Sequence, residues 1–337
     1  MNSSTTKGAR LGAVMLTAAL AAGMLTAVNA EGNFMTKSIT KDVNTYAPNT
    51  TINFTVTPGE GKPASGNQPV IYAGVPGGVT LDSDAFVFAP QESDISQDKV
   101  STSNGITVDI TKFSKPGIYR YIVQESTPGE PYDGLNYDSA PKTLDVYITT
   151  DKEGCLTSTL VWSDSEGCKD TGTFVNTYDT GCFTVKKTVD GNQGDRNKEF
   201  TFTLQVNGAE GEWYQVVMPN GNTGTMVSGQ SFTVTLKHEQ SVTVYGLSEN
   251  DEYTVTEADY TDDGYRTTVS VNDGEAKETN TISGKVPKCG KTCIDFVNCK
   301  DVTPPTGLLM DTAPYAAMLV LAGLFAAFLL RRRRREQ

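Results

Sequence analysis

The sequence predicts an all-β fold made of two tandem copies of one sandwich. Three observations carry that prediction. Apolar residues recur at period two in short runs. Glycine, asparagine, aspartate and proline fall between those runs, with 32 Gly and 15 Pro in 337 residues. And one ordered set of local patterns occurs twice along the chain. Period two is the signature of a strand with one buried face, and turn residues at short spacing mark a sandwich rather than helices. No amphipathic helical repeat stands out between the two ends of the chain.

The runs can be taken in order. Ile52, Phe54 and Val56 share a face, as do Ile106, Val108 and Ile110. Tyr119, Tyr121 and Val123 follow, then Leu144, Val146 and Ile148. The second half repeats the rhythm at Phe200, Phe202, Leu204 and Val206, at Phe232, Val234 and Leu236, and at Val269 and Val271. Each half opens on a strand ending in a lysine, Ile39-Thr40-Lys41 and Val185-Lys186-Lys187. A Phe-Thr strand comes next, at Phe54-Thr55 and Phe200-Thr201-Phe202. A strand ending in glutamate follows, Tyr121 to Glu125 and Tyr253 to Glu257, and each half closes with Phe-Val-Asn at Phe174-Val175-Asn176 and Phe296-Val297-Asn298. Such a duplication predicts a first domain over 31–179 and a second over 180–302.

The ends read differently. Lys7 and Arg10 precede an apolar stretch, and Val28-Asn29-Ala30 offers small residues for cleavage. A secretory signal peptide over 1–30 is expected. At the other end, Thr303-Pro304-Pro305-Thr306-Gly307 precedes the apolar run Tyr315 to Leu330 and five arginines, Arg331 to Arg335. As a helix that run would reach about 24 Å, and snorkelling arginines could complete a membrane span. The arginines belong inside the cell, which places the preceding chain outside. The combination over 303–337 resembles a Gram-positive cell-wall sorting signal, in which a sortase cuts between Thr306 and Gly307. Without the two ends the net charge goes from −12 to −17. That balance excludes nucleic acid and anionic lipid as partners and suits a protein held at high density on a surface.

Three polar residue types recur at corresponding places on the apolar side of their strands. Lys41 shares parity with Ile39, Lys187 with Phe183 and Val185, Glu125 with Tyr121 and Val123, Glu257 with Tyr253 and Val255. Asn176 shares parity with Phe174, and Asn298 with Ile294 and Phe296. Each is costly to bury alone. Strand-end lysines and asparagines ordinarily turn out to solvent, but a repeat of the same three types on the same faces points to mutual satisfaction. Burial lowers a lysine's pKa and raises a carboxyl's. A neutral amine held against an asparagine carboxamide can attack it and expel ammonia, with the glutamate moving protons. Fixed geometry is what makes so slow a reaction feasible.

The order of lysine, Phe-Thr strand, glutamate and Phe-x-Asn, twice, followed by Pro-Pro-Thr-Gly and a basic-tailed apolar run, resembles the sortase-assembled backbone pilins of Gram-positive bacteria. Their domains are immunoglobulin-like sandwiches of the collagen-adhesin B-repeat type. The resemblance implies a structural pilus subunit rather than an enzyme, with no cofactor and no metal. It implies two self-forming isopeptide sets, Lys41–Glu125–Asn176 and Lys187–Glu257–Asn298. It implies a secreted, wall-attached product whose partners are a sortase, identical subunits, peptidoglycan, minor pilins and host surface ligands. Thr306 would be the donor in polymerisation. The acceptor lysine corresponds to Lys169, with Lys152 and Lys142 as rivals. A monomeric wall-anchored adhesin built from the same domains is the alternative, and a surface hydrolase would need an acid/base pair that the sequence does not display.

Six cysteines lie between the two ends, where disulfides are permitted. In the resembled fold the first and last strands of a domain run side by side, so if Lys187 meets Asn298 then Cys182 meets Cys293, five residues earlier on each strand. Cys155 with Cys168 is the sequence-local pair, although an extended strand between them would hold them apart. Cys289 and Cys299 have no evident partner. Cys289-x-x-x-Cys293 could suggest zinc, but no histidine is near.

Overall fold

The computed structural model of the chain describes residues 33–302, 318–326 and 331. The signal-peptide stretch and the Thr306–Gly307 bond lie outside the described residues. Residues 318–326 are helical and exposed. Among the described residues no helix is long and apolar enough to cross a membrane.

Residues 33–302 form two β-sandwiches. In the first, one sheet orders its strands Val79–Leu81, Lys99–Val108, Phe34–Lys41, Thr173–Tyr178, Leu135–Asn136. The facing sheet runs Lys169–Asp170, Leu156–Ser163, Lys142–Thr150, Gly117–Ser126, Thr50–Pro58, Ala85–Phe88. In the second, a seven-stranded sheet carries Gly181–Asp190 beside Lys291–Cys299, and a four-stranded sheet carries Phe200–Asn207 beside Glu252–Glu257. The alternation of the sequence is the alternation of burial. Phe200, Phe202, Leu204 and Val206 are fully buried while Thr203 and Asn207 are exposed. Two separate cores result, one centred on Phe54, Phe86, Val123 and Phe174, the other on Phe183, Phe202, Val255 and Phe296.

In both sandwiches the opening and closing strands pair in parallel, and all other pairings of these two strands are antiparallel. The parallel pair closes the module's chain ends against each other. Its register is the same in both. Lys37 lies across from Phe174, and Lys187 across from Phe296.

The hairpin turns at the two ends of Leu156–Ser163 are duplicates that the chain spells out as Asp-x-Glu-Gly-Cys. In each, the aspartate carboxylate accepts the N–H groups of the third and fifth residues, Glu153 and Cys155 at Asp151, Glu166 and Cys168 at Asp164. The glycines adopt φ of 83° and 85°, where a side chain would be strained. Cys155 and Cys168 therefore sit at opposite ends of an eight-residue strand, about 26 Å at the usual rise, and cannot bridge within one chain.

The two sandwiches meet through side chains on both sides of the Tyr178–Gly181 junction. Tyr46 stacks edge-on against Trp213, with centroids 5.4 Å apart, and its hydroxyl bonds Thr225. Tyr178 donates to the buried Glu212 at 2.6 Å. Asn49 donates to the Glu210 carbonyl, and Asn250 to Asp133.

Candidate cross-linking sites

The first site is built from three strands in two sheets. Phe34–Lys41 supplies Lys37, Thr173–Tyr178 supplies Asn176, and Gly117–Ser126 in the facing sheet supplies Glu125. All three side chains are buried, with Lys37 and Asn176 fully so. Lys37 Nζ lies 2.6 Å from Glu125 Oε2 and 2.5 Å from Asn176 Oδ1. Asn176 Nδ2 donates to Glu125 Oε1 at 2.7 Å. One carboxyl oxygen thus touches the amine and the other touches the amide nitrogen. Phe54, paired across from Glu125, packs edge-on against Phe174 at 4.9 Å and walls the cluster from water. Burial pulls the Lys37 amine below the usual lysine range, against the raising effect of Glu125.

Lys41 is not in this cluster, which corrects the expectation from sequence. Its parity is inward and it is buried, but its strand ends there, across from Tyr178 and beyond Asn176. Its ammonium donates to the backbone carbonyls of Asp94 and Gln97 at 2.7 and 2.5 Å, tying down the short 3-10 turn Glu92–Ser96. Burial lowers the pKa of Lys41 as well, so register and not titration separates the two lysines. A strand-ending lysine is the wrong counterpart because Lys187 is not at the end of its strand. That strand continues to Asp190, as the first continues from Lys37 to Lys41.

The second site brings together the same three residue types, Lys187, Glu257 and Asn298, all fully buried. Lys187 Nζ lies 3.0 Å from Glu257 Oε1, and Asn298 Nδ2 donates to the same oxygen at 3.2 Å. The Thr267 hydroxyl holds the other carboxyl oxygen at 3.1 Å. Phe202 lies across from Glu257 and packs edge-on against Phe296 at 5.1 Å, matching Phe54 and Phe174. The Lys187 amine lies 4.5 Å from the Phe200 ring centroid. Burial lowers Lys187 to about 8 and raises Glu257, each against the influence of the other. Both shifts favour the neutral pair. Lys186 points outward and pairs with exposed Glu239.

The register that joins Lys187 to Asn298 also separates Cys182 from Cys293. Cys182 lies across from Lys291, and Cys293 across from Thr184. The expected disulfide assumed that Lys187 and Asn298 are level, whereas they are offset by two residues. With about 4.8 Å between strands and two residues of rise, the two Cα atoms fall about 8 Å apart, beyond disulfide reach. All six cysteines are free thiols.

Lys169 is exposed on the short edge strand Lys169–Asp170. Of its rivals, Lys142 is half-buried and ion-paired with Asp170, and Lys152 is exposed in the Asp151 turn.

Two family profiles match the chain. The Spy0128-like isopeptide containing domain (FctA) covers residues 34–179, and a domain of unknown function (DUF7601) covers residues 181–292. A pilin of Streptococcus pyogenes serotype M1 is 30% identical over 293 residues, which is 83% of this chain and 84% of that protein. The pilus tip adhesin Cpa of S. pyogenes is 33% identical over 128 residues, 38% of this chain but 18% of the adhesin. Among solved structures, the major pilin from S. pyogenes aligns over 80% of this chain and 99% of that chain, with a TM-score of 0.56 and 26% identity. The T3.2 major pilin aligns over 81% and 99%, with a TM-score of 0.57 and 25% identity. The end-to-end match is to pilins, while the adhesin shares only one segment. Two tandem immunoglobulin-like sandwiches, each closing opening strand on closing strand around a buried lysine, glutamate and asparagine, together with that match, make this chain a member of the Gram-positive major pilin family, a structural subunit of a cell-surface pilus.

Proposed function

We propose that this pilus subunit cross-links itself once in each sandwich, Lys37 to Asn176 and Lys187 to Asn298, and that a sortase then joins the subunits. The observation that supports the first bond is the division of Glu125 between its two partners, Oε2 on the amine and Oε1 on the amide nitrogen. In a dry site the neutral amine attacks Asn176 Cγ. Glu125 takes a proton from the attacking nitrogen and returns one to the departing nitrogen. A C–N bond forms, a C–N bond breaks, and one ammonia leaves. Glu257 serves Lys187 and Asn298 in the same way. The enclosing phenylalanines keep competing water from the carbonyl carbon.

Each bond would tie the first strand of a module to its last, so that tension entering at one chain end leaves at the other through covalent bonds and not through sheet hydrogen bonds alone. The Thr306–Gly307 bond would be the sortase cleavage point, with Thr306 joined to Lys169 of the next subunit or to peptidoglycan. The exposed position of Lys169 supports its accessibility to the enzyme. Minor pilins, a tip adhesin and host surface ligands remain the expected company of such a fibre.

Thr306→Ala and Lys169→Ala variants expressed in a sortase-bearing Gram-positive host test assembly. The first should abolish both polymer and wall attachment. The second should abolish the ladder of covalent multimers and leave monomer on the wall. Multimers that persist in Lys169→Ala would assign the acceptor elsewhere.

A further inference from the structure

The two clusters differ at the oxygen that must take up negative charge. Asn176 Oδ1 accepts two hydrogen bonds, from Lys37 Nζ at 2.5 Å and from the backbone N–H of Asp138 at 2.7 Å. Asn298 Oδ1 is buried and has no hydrogen-bond partner. When an amine adds to a carboxamide carbon, the carbonyl oxygen becomes an oxyanion. A fixed N–H aimed at that oxygen lowers the barrier, and removing one such donor typically costs about 10²–10³-fold in rate.

We propose that the Asp138 backbone N–H is the oxyanion donor of the first cross-linking site, that the second site has no counterpart, and that the first bond therefore forms faster. The proposal rests on the cross-linking reading above. Asp138 lies in the loop between Leu135–Asn136 and Lys142–Thr150. That loop is clamped to the closing strand on one side. Leu135 and Asn136 pair with Tyr178 and Thr177, and the Asp138 carboxylate accepts the Val175 and Ala140 N–H groups. Gln124, beside Glu125, donates to the Ser139 carbonyl. The N–H is held in place before reaction, which is what oxyanion stabilisation requires.

In the second site the corresponding flank of the closing strand is taken by Arg266–Val271, with Thr267 across from Asn298. Its hydroxyl serves the Glu257 carboxyl and not the asparagine oxygen. The second site thus supports its proton carrier and leaves the carbonyl oxygen without a donor until Lys187 reaches it. The attack, the proton transfers and the loss of one ammonia are the same in both sites. Only the stabilisation of the intermediate differs.

The test is the full chain made as a short isotope pulse in a cell-free system, sampled over time and digested, with ammonia loss followed separately in the Lys37–Asn176 and Lys187–Asn298 peptides by mass spectrometry. The first loss should run at least tenfold faster than the second. Equal rates, or a faster second site, overturn the proposal. Absence of ammonia loss from both would overturn the cross-linking reading instead. Asp138→Pro removes the N–H. It should slow the first site about 10²-fold while the second site, in the same molecules, keeps its rate. A folded Asp138→Pro chain with an unchanged first-site rate also overturns the proposal. If that variant does not fold, the native time course alone decides.

Discussion

Lys37 and Asn176 sit on neighbouring parallel strands two residues out of step, Lys37 across from Phe174 and Asn176 across from Ile39. Lys187 and Asn298 keep the same offset, with Phe296 in the place of Phe174. The offset allows a long lysine side chain to run along the strand and meet a short asparagine at its carbonyl oxygen.

Lys37→Ala should remove the first ammonia loss and leave the second. It should also destabilise the first sandwich by about 5 kcal/mol, the magnitude expected for opening a covalent loop of more than a hundred residues. Lys41→Ala should keep both ammonia losses. Its cost is that of stranding the buried Asp94 carbonyl, about 1–3 kcal/mol, with a smaller loss at the half-buried Gln97 carbonyl. Intact mass and urea unfolding of the two variants separate the roles. A lost cross-link in Lys41→Ala alone would reverse the assignment.

Glu257→Ala should leave Lys187 and Asn298 unreacted, because Glu257 is the carboxyl that touches both. The uncoupled amine, no longer beside an acid, should titrate below the value of about 8 that Glu257 helps to sustain. Protease digestion of the second sandwich should become faster at 37 °C while the first stays resistant. Normal mass for a linked second domain would show that another group carries the protons.

The joint between the sandwiches should be sensitive to pH. Glu212 and Asp251 are both buried and share the Tyr214 hydroxyl, and among the described residues neither receives an ammonium or guanidinium bond. Burial raises both, Glu212 to about 7 with the Asp251 charge adding to it, and Asp251 to about 6 with a smaller push from Asp133. A carboxyl raised in the folded state holds a proton that the unfolded chain has released. Its stabilising contribution is therefore full below about pH 4.5, falls as pH rises toward 7, and is spent above it. Tyr178, at the end of the first sandwich, bonds this pair. Hydrogen exchange at the Ala209 and Tyr214 amides, corrected for intrinsic rates, should quicken between pH 5 and 7.5. Asp251→Asn should flatten that rise by relieving the repulsion on Glu212. An unchanged profile in the variant would remove the pair from the account.

Much of this was legible in the sequence because period and parity are strong signals. The alternation at Phe200 to Val206 and at Leu144 to Ile148 specified strands and their inward faces, and the inward placement of Glu125, Asn176, Lys187, Glu257 and Asn298 follows from parity alone. Lys37 escaped notice because Lys37, Ile39 and Lys41 all share that parity. Only the pairing of Lys37 with Phe174 distinguishes the two lysines, and register between strands 139 residues apart is not written in either strand. The same two-residue offset misled the pairing of Cys182 with Cys293. The duplicated Asp-x-Glu-Gly-Cys turns are readable as hairpins, since aspartate and glycine at this spacing favour a tight turn.

The central claim is that both sandwiches seal themselves without help from another protein. The accurate mass of the purified folded chain, produced without sortase and with thiols reduced, tests it most directly. The account predicts a deficit of two ammonia molecules relative to the sequence, one mapping to Lys37–Asn176 and one to Lys187–Asn298. A chain of full sequence mass, with both lysines open to amine-specific labelling after unfolding, would contradict it.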